Sequence, residues 1–341
     1  MAAAFGGRDG IMTGSSDSFL VRVSGLVIQT DAPLPGLRQL DVSEPPDLRV
    51  SMRGAIGAPS TSDADGVWYV SPYLDERGVP LLTIRHAAFG YLLCYCEGAT
   101  FLVSASGSEV DAWWDPPLTE ADVADYLLGG VLAFVVRLRG SVPLHASAVA
   151  VHDRAVLFAG DAGAGKSSLA AAFAILGYPV LADDVVVIDG SRACVRAYPS
   201  HPRLSMWSDS ANRLFATKSL PSHSSEYEKR RLDLLEHGYR FHERPLAVGM
   251  ICILGSRTAS GRGPVIRELR SQDALMKLVR HTYGNYLLDA SMRAREFDIL
   301  VHVAATVCIG ELSLTPSLDE LVADCRRLAD SLAIQSAAQA T

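Results

Sequence analysis

Between Phe19 and Asp115, short apolar and β-branched runs alternate with clusters of glycine, proline and aspartate. The runs Phe19–Thr30, Leu48–Arg53, Val67–Val70, Pro80–Arg85, Tyr91–Cys96 and Thr100–Ser104 have strand composition, and the residues between them are turn formers. No helical period interrupts them, so residues 18–117 predict a small antiparallel β domain. Thr119 then stands as an N-cap ahead of Glu120 and Asp122. Apolar positions continue from there to Val136, and Arg137, Arg139 and Gly140 close a linking helix over 118–140. From Val142 the text changes to strands at Pro143–Val151 and Ala155–Ala159, a glycine-rich loop, a helix at Ser167–Leu176, and strands at Val180–Ala182 and Val185–Ile188. Further strands are expected near Val248–Leu254 and His302–Ile309, and helices near Ser271–Arg280 and Ser317–Leu332. The fold class is α/β (α+β overall): a β-rich N-terminal domain, then a mixed-sheet domain over 141–332 with flanking helices. Residues 1–17 read as a disordered leader and 333–341 as a flexible tail.

Composition narrows the function classes. The chain has 341 residues, 49% hydrophobic and 20% charged, which excludes general disorder and suits two domains. Lysine and arginine number 31 against 38 aspartates and glutamates, a net charge of −7, so a nucleic-acid partner is not expected. The apolar stretches Leu127–Val136 and Ile299–Ile309 fall short of the roughly 20 residues a membrane-crossing helix needs. The six cysteines form no CxxC pair, and Cys94 and Cys96 share one face of a strand. Free thiols, with no secretory signal at the N-terminus, suggest a cytoplasmic protein.

One motif carries strong chemistry. Gly160-Asp161-Ala162-Gly163-Ala164-Gly165-Lys166-Ser167 satisfies GxxxxGK[ST] at every fixed position, after a strand ending at Ala159 and before a helix that includes Ser168. Glycines let successive backbone N–H groups close around phosphates, and the helix N-terminus adds its positive end. Lys166 then reaches the β/γ-phosphates of ATP, and the Ser167 hydroxyl is a Mg²⁺ ligand. No LSGGQ signature follows, which argues against a transporter ATPase, and no NKxD motif, which argues against a GTPase.

Asp183 and Asp184 end the next strand. Successive strand side chains alternate, so one carboxylate can face a metal while the other faces an incoming hydroxyl. Alone, the pair also fits a solvated turn, and His145, in an apolar strand, also fits a satisfied core histidine. Taken together, Leu144-His145, Gly160–Ser167 and Leu181-Ala182-Asp183-Asp184 resemble the catalytic domain of the HPr kinase/phosphorylase family, a phosphoenolpyruvate-carboxykinase-like P-loop fold. The resemblance implies His145 as a site histidine near the transferring phosphate and Lys166 as the phosphate-binding lysine. It also implies Ser167 as a Mg²⁺ ligand, Asp183 as a metal-binding or water-positioning carboxylate, and Asp184 as the base toward a substrate hydroxyl. Oligomers occur in that family, so a homo-oligomer is a further expectation.

The chain departs from the family after the aspartates. A Leu-Glu-Ile-Arg-Gly-Leu-Gly type segment, with its metal-binding glutamate, is replaced by Tyr198-Pro199-Ser200-His201-Pro202-Arg203-Leu204-Ser205-Met206-Trp207. That places HPr as substrate, and the reverse phosphorylase reaction, in doubt. With Leu144–Val149 and the opening stretch Gly25–Leu37, the variant segment looks like the HPr-kinase-related enzymes of lasso-peptide biosynthesis. The implied partner is a precursor peptide whose serine, near its C-terminus, accepts the phosphate. Arg203, and the cluster Lys229-Arg230-Arg231, are candidates for stabilising transition-state charge; the cluster equally fits a solvated helix face.

Overall fold

Residues 18–41, 44–59, 65–190, 194–215, 229–255, 263–315 and 317–339 are described by a computed structural model. The expected leader, 1–17, lies outside them. The first sheet contains β1 (Phe19–Val23), β2 (Leu26–Thr30), β3 (Leu48–Gly54), β4 (Asp65–Val70), β5 (Leu82–Ala87), β6 (Gly90–Tyr95), β7 (Ala99–Ser104) and β8 (Glu109–Trp114). Their spatial order is β1-β2-β3-β8-β7-β6-β5-β4. The run Phe19–Thr30 is a hairpin because Ser24 (φ 54°) and Gly25 (φ 84°) both adopt the left-handed conformation, the geometry of the tightest two-residue turns.

An antiparallel sheet was expected, and the sheet is mixed. β3 runs parallel to β2 on one side and to β8 on the other. The long connection from Thr30 to Leu48 returns the chain to the same end before β3, which a short hairpin loop cannot do, whereas β8 follows β7 through a short turn and comes to lie beside β3 only after β4–β7 intervene. β8 itself was not anticipated, although Val110 and Ala112 alternate inward at 1% and 0% exposure.

The linking helix forms as expected and then breaks its own regularity. Thr119 and Asp122 make a reciprocal capping box at the start of α1 (Glu120–Tyr126), Asp122 N–H donating to Thr119 Oγ1 and Thr119 N–H to Asp122 Oδ2. A π-turn over Leu127–Val131 follows, with Gly129 at non-helical φ/ψ (−95°, −105°), and then α2 (Leu132–Leu138). Val123, Leu127, Val131 and Val135 bury one face in a core shared with Phe101, Val103 and Ile84 of the first sheet. The same core includes Val185 and Val187, so the helix is packed between the two sheets.

The second sheet is built around β9 (Val142–Val151), β10 (Arg154–Ala159), β11 (Val180–Ala182), β12 (Val185–Asp189), β13 (Arg196–Tyr198), β16 (Leu246–Leu254) and β18 (Cys308–Ser313), with β17 (Val265–Glu268) on its rim. β9 pairs with β12 through Val142–His145 and with β10 through Ala146–Val151. β16 meets β13 at Leu246 and Ala247, then runs parallel to β10. The path β10-β9-β12-β13-β16 therefore closes on itself. One face carries α3 (Lys166–Ile175) and α7 (Leu321–Gln339), and the other α5 (Ser271–Arg280) and α6 (Ala290–Thr306). The fold is a mixed α/β arrangement of two large sheets and flanking helices.

Three local expectations change. His302–Ile309 is not one strand: α6 continues to Thr306, capped at its start by Asp289 accepting from Met292 N–H, and the strand begins at Cys308. Lys229–Asp233 is strand β15, paired with β14 (Arg203–Trp207), rather than a helix face. Residues 333–339, expected as tail, continue the backbone of α7. A short helix, α4 (Ser208–Leu214), follows β14.

Candidate active site

β10 delivers the chain into the glycine-rich loop and α3 carries it away. Gly163 (φ 78°) and Gly165 (φ 100°) take the left-handed conformations that turn the loop back over the helix N-terminus. Lys166 is buried at 7% exposure, and its Nζ donates to the carbonyl oxygens of Gly160 and Asp161, each at 3.0 Å. The loop is braced from outside as well. Arg280, at the end of α5, donates to Asp161 Oδ2 at 2.8 Å, and His281 Nδ1 lies 3.9 Å from Asp161 Oδ1. Burial, the largest cause, pushes the His281 pKa below its ordinary value.

β11 ends at Ala182, so Asp183 and Asp184 lie past the strand, and a turn rather than the expected strand alternation separates their side chains. Asp183 is 4% exposed. Its Oδ1 accepts from the hydroxyls of Ser147 (2.7 Å) and Ser167 (2.8 Å), and its Oδ2 from the N–H of Ser205 (2.9 Å). Burial raises its pKa, against the lowering effect of those three donors. Asp184 adopts φ +66°, and Val185 N–H donates across it to Asp183 C=O at 2.8 Å, a tight γ-turn. This turn sends the Asp184 side chain toward His145, whose Nε2 is 3.5 Å from Asp184 Oδ1. His145 sits on β9 opposite Val185, and its backbone N–H donates to His281 C=O. Tyr283 stands edge-on to it at 6.0 Å between ring centres.

A cavity of about 390 Å³ is bordered by His145, Gly163, Lys166, Ser167, Ser168 and Asp184, which brings together part of the phosphate loop, the predicted histidine and one of the two predicted carboxylates. Trp207, Asp209 and Arg213 close its far side. Trp207 lies in the variant segment that supplied the candidate Arg203 but was not itself singled out, and Asp209 and Arg213 come from α4, which no sequence signal marked. Arg203 lines instead a small neighbouring cavity, which Asp184 also borders. There it donates to Asp125 Oδ1 at 3.1 Å, and Arg231 binds the other oxygen of the same carboxylate. Asp125, on α1, carried no motif in the sequence, so only the tertiary structure reveals this cluster. His201 lines the same cavity, its pKa pushed down to about 4, first by burial and then by Arg203, so it is neutral near pH 7.

Ser167 Oγ and Asp183 Oδ1 form the hydroxyl–carboxylate pair that a P-loop Mg²⁺ site uses. Among the described residues no group of three or more His, Cys, Asp or Glu side chains is placed to hold a metal. That fits a hard cation whose remaining ligands are phosphate oxygens and water. All six cysteines are free, and no helix among the described residues is long and apolar enough to cross a membrane.

No family model matches the chain, and no curated protein matches it. Among solved structures, the HPr(Ser) kinase/phosphatase from Coxiella burnetii overlaps it at 11% identity with a TM-score of 0.35, over 58% of this chain and 94% of that one. The architecture described above therefore stands on its own strands and helices.

Proposed function

We propose that this chain is an ATP- and Mg²⁺-dependent serine kinase of the cytoplasm, transferring the γ-phosphoryl group to a serine hydroxyl of a peptide. The acceptor we favour is a serine near the C-terminus of a lasso-peptide precursor. One observation carries the reading: Asp184 borders both the phosphate-loop cavity and a second, larger cleft, and so stands where an acceptor alcohol can meet a bound nucleotide.

Phosphoryl transfer needs positioning and charge neutralisation more than covalent help from the protein. The Gly160–Gly165 amides hold the phosphates, and Lys166 exchanges its two carbonyl partners for phosphate oxygens. Ser167 and Asp183 would hold Mg²⁺, which supplies charge neutralisation at the β- and γ-oxygens when bound. Asp184 accepts the proton of the serine hydroxyl while the new O–P bond forms and the bond to the β-bridging oxygen breaks, releasing ADP. His145 holds Asp184 in place and faces the transferring group.

The test is incubation with γ-labelled ATP, Mg²⁺ and a serine-ended peptide, read by mass spectrometry. A gain of one phosphate mass is expected, and Asp184→Asn should cut transfer by about 10²–10⁴-fold while leaving nucleotide affinity within about twofold. Full activity in Asp184→Asn would remove it as the base. Nucleotide binding without transfer to any hydroxyl would leave a binding module rather than a kinase.

A further inference from the structure

The cleft of about 800 Å³ that reaches Asp184 shares no other lining residue with the phosphate-loop cavity. One wall comes from the first sheet, through the loop Asp75–Arg77 and the β6–β7 turn at Tyr95–Glu97. The other comes from α1 and the π-turn, with Arg231 and Tyr283 at the inner end. Its volume is at the upper end of the roughly 300–1,000 Å³ range of small-ligand pockets, and it is open along one side, as a peptide segment requires.

Its lining is chemically one-sided. Asp75, Glu76, Glu97, Asp122, Asp125 (which Arg203 also holds from the neighbouring cavity) and Asp184 share this lining with two guanidiniums, Arg77 and Arg231. Those two are already engaged within the wall, Arg77 with Asp75 at 2.8 Å and Arg231 with Asp125. Carboxylate is therefore in excess. Tyr95, Tyr126 and Tyr283 supply aromatic surface between the acids, Tyr95 and Tyr126 with ring centres 4.4 Å apart and the Tyr126 hydroxyl donating to Glu97. Carboxylates interleaved with tyrosine faces attract ammonium and guanidinium groups by charge and by the ring quadrupole. The passage between the tyrosines depends on Gly130, where a Cβ would come within 2.9 Å of Tyr95 Oη and 3.8 Å of Tyr283 Oη.

We infer that this cleft is the acceptor site, and that it takes a peptide whose serine is flanked by lysine or arginine, laid over Gly129 and Gly130 so that the hydroxyl ends at Asp184. The inference rests on the kinase reading above and adds the charge class of the substrate.

The experiment measures binding and transfer separately, on the full chain. Fluorescently labelled serine peptides flanked by lysines or by glutamates are titrated by anisotropy at low and at moderate salt. The lysine-flanked peptide should bind about tenfold or more tighter, with the preference shrinking as salt screens the wall. The double variant Glu76→Lys/Glu97→Gln should lower that preference about threefold or more, and Gly130→Ala should weaken the lysine peptide, both without change in nucleotide affinity. Equal binding of the two peptides, no binding of either, or an unchanged preference in the double variant overturns the inference. The same mixtures are then given Mg²⁺-ATP. A lysine peptide that binds with the expected preference and gains no phosphate overturns the kinase reading and keeps the cationic site. Transfer without charge preference overturns the cationic site alone.

Discussion

Replacing Asp183 by asparagine sets two effects of known sign against each other. The carboxylate is almost sealed from water, and Ser147, Ser167 and Ser205 supply its three donors. Asparagine keeps an oxygen for the two serine hydroxyls, but its NH₂ group confronts the Ser205 N–H, donor against donor. A hydrogen bond to a charged group contributes about 1.5–3 kcal/mol, and an orphaned buried N–H costs about 1–3 kcal/mol. Against this, the variant no longer buries a charge, a relief in the direction signalled by the raised pKa. The expected balance is a loss of about 1–2 kcal/mol, or about 1–3 °C in Tm for a chain of 341 residues. The pH dependence has a fixed sign. The native carboxyl titrates above its ordinary 3.8, so the folded state holds its proton more tightly than the unfolded chain does. As pH falls from neutral through the native value, the wild type sheds its burial penalty and gains on the variant. Differential scanning fluorimetry at pH 7.5 and pH 5 reads both quantities. A variant as stable as the wild type at pH 7.5, or a gap that narrows on acidification, would refute the reasoning.

Lys166→Ala should weaken nucleotide binding about 30-fold or more by calorimetry, since a charge-assisted contact is lost; a change under threefold would contradict its placement. Asp125→Ala leaves Arg203 and Arg231 facing each other in a partly buried cavity, and should cost about 2–3 kcal/mol by urea unfolding, less than a fully buried pair because solvent reaches the site. Phe158→Ala empties a fully buried position packed on Phe173, at about 3–5 kcal/mol in the same assay, with less than 1 kcal/mol as the contrary result.

Much of the phosphate-loop region was legible because its signals are local. Gly163, Gly165 and Lys166 have spacing fixed by backbone geometry. Errors arose where identity depends on distant partners. His302–Thr306 was read as the start of a strand, and only packing against the sheet makes it helix. The parallel placement of β3 leaves no trace in its own residues. Asp125 looked like an ordinary helix acid until Arg203 and Arg231 arrived from β14 and β15. The positive φ of Asp184, which aims its side chain, is a property of the turn rather than of the residue type.

The closed path through β9, β10, β12, β13 and β16 has a consequence for crowding in concentrated solution. A strand with neighbours on both flanks offers no backbone row on which another chain can template. Along the main paths of the two large sheets, such rows fall to the outermost members, β1 and β4 of the first and β17 of the second, while the separate β14–β15 pair carries edges of its own. β4 also exposes Val67 and Val70. Self-adhesion at the large sheets, where it occurs, is thereby directed to the periphery, and β9 and β10, which carry His145 and lead into the phosphate loop, are shielded from it.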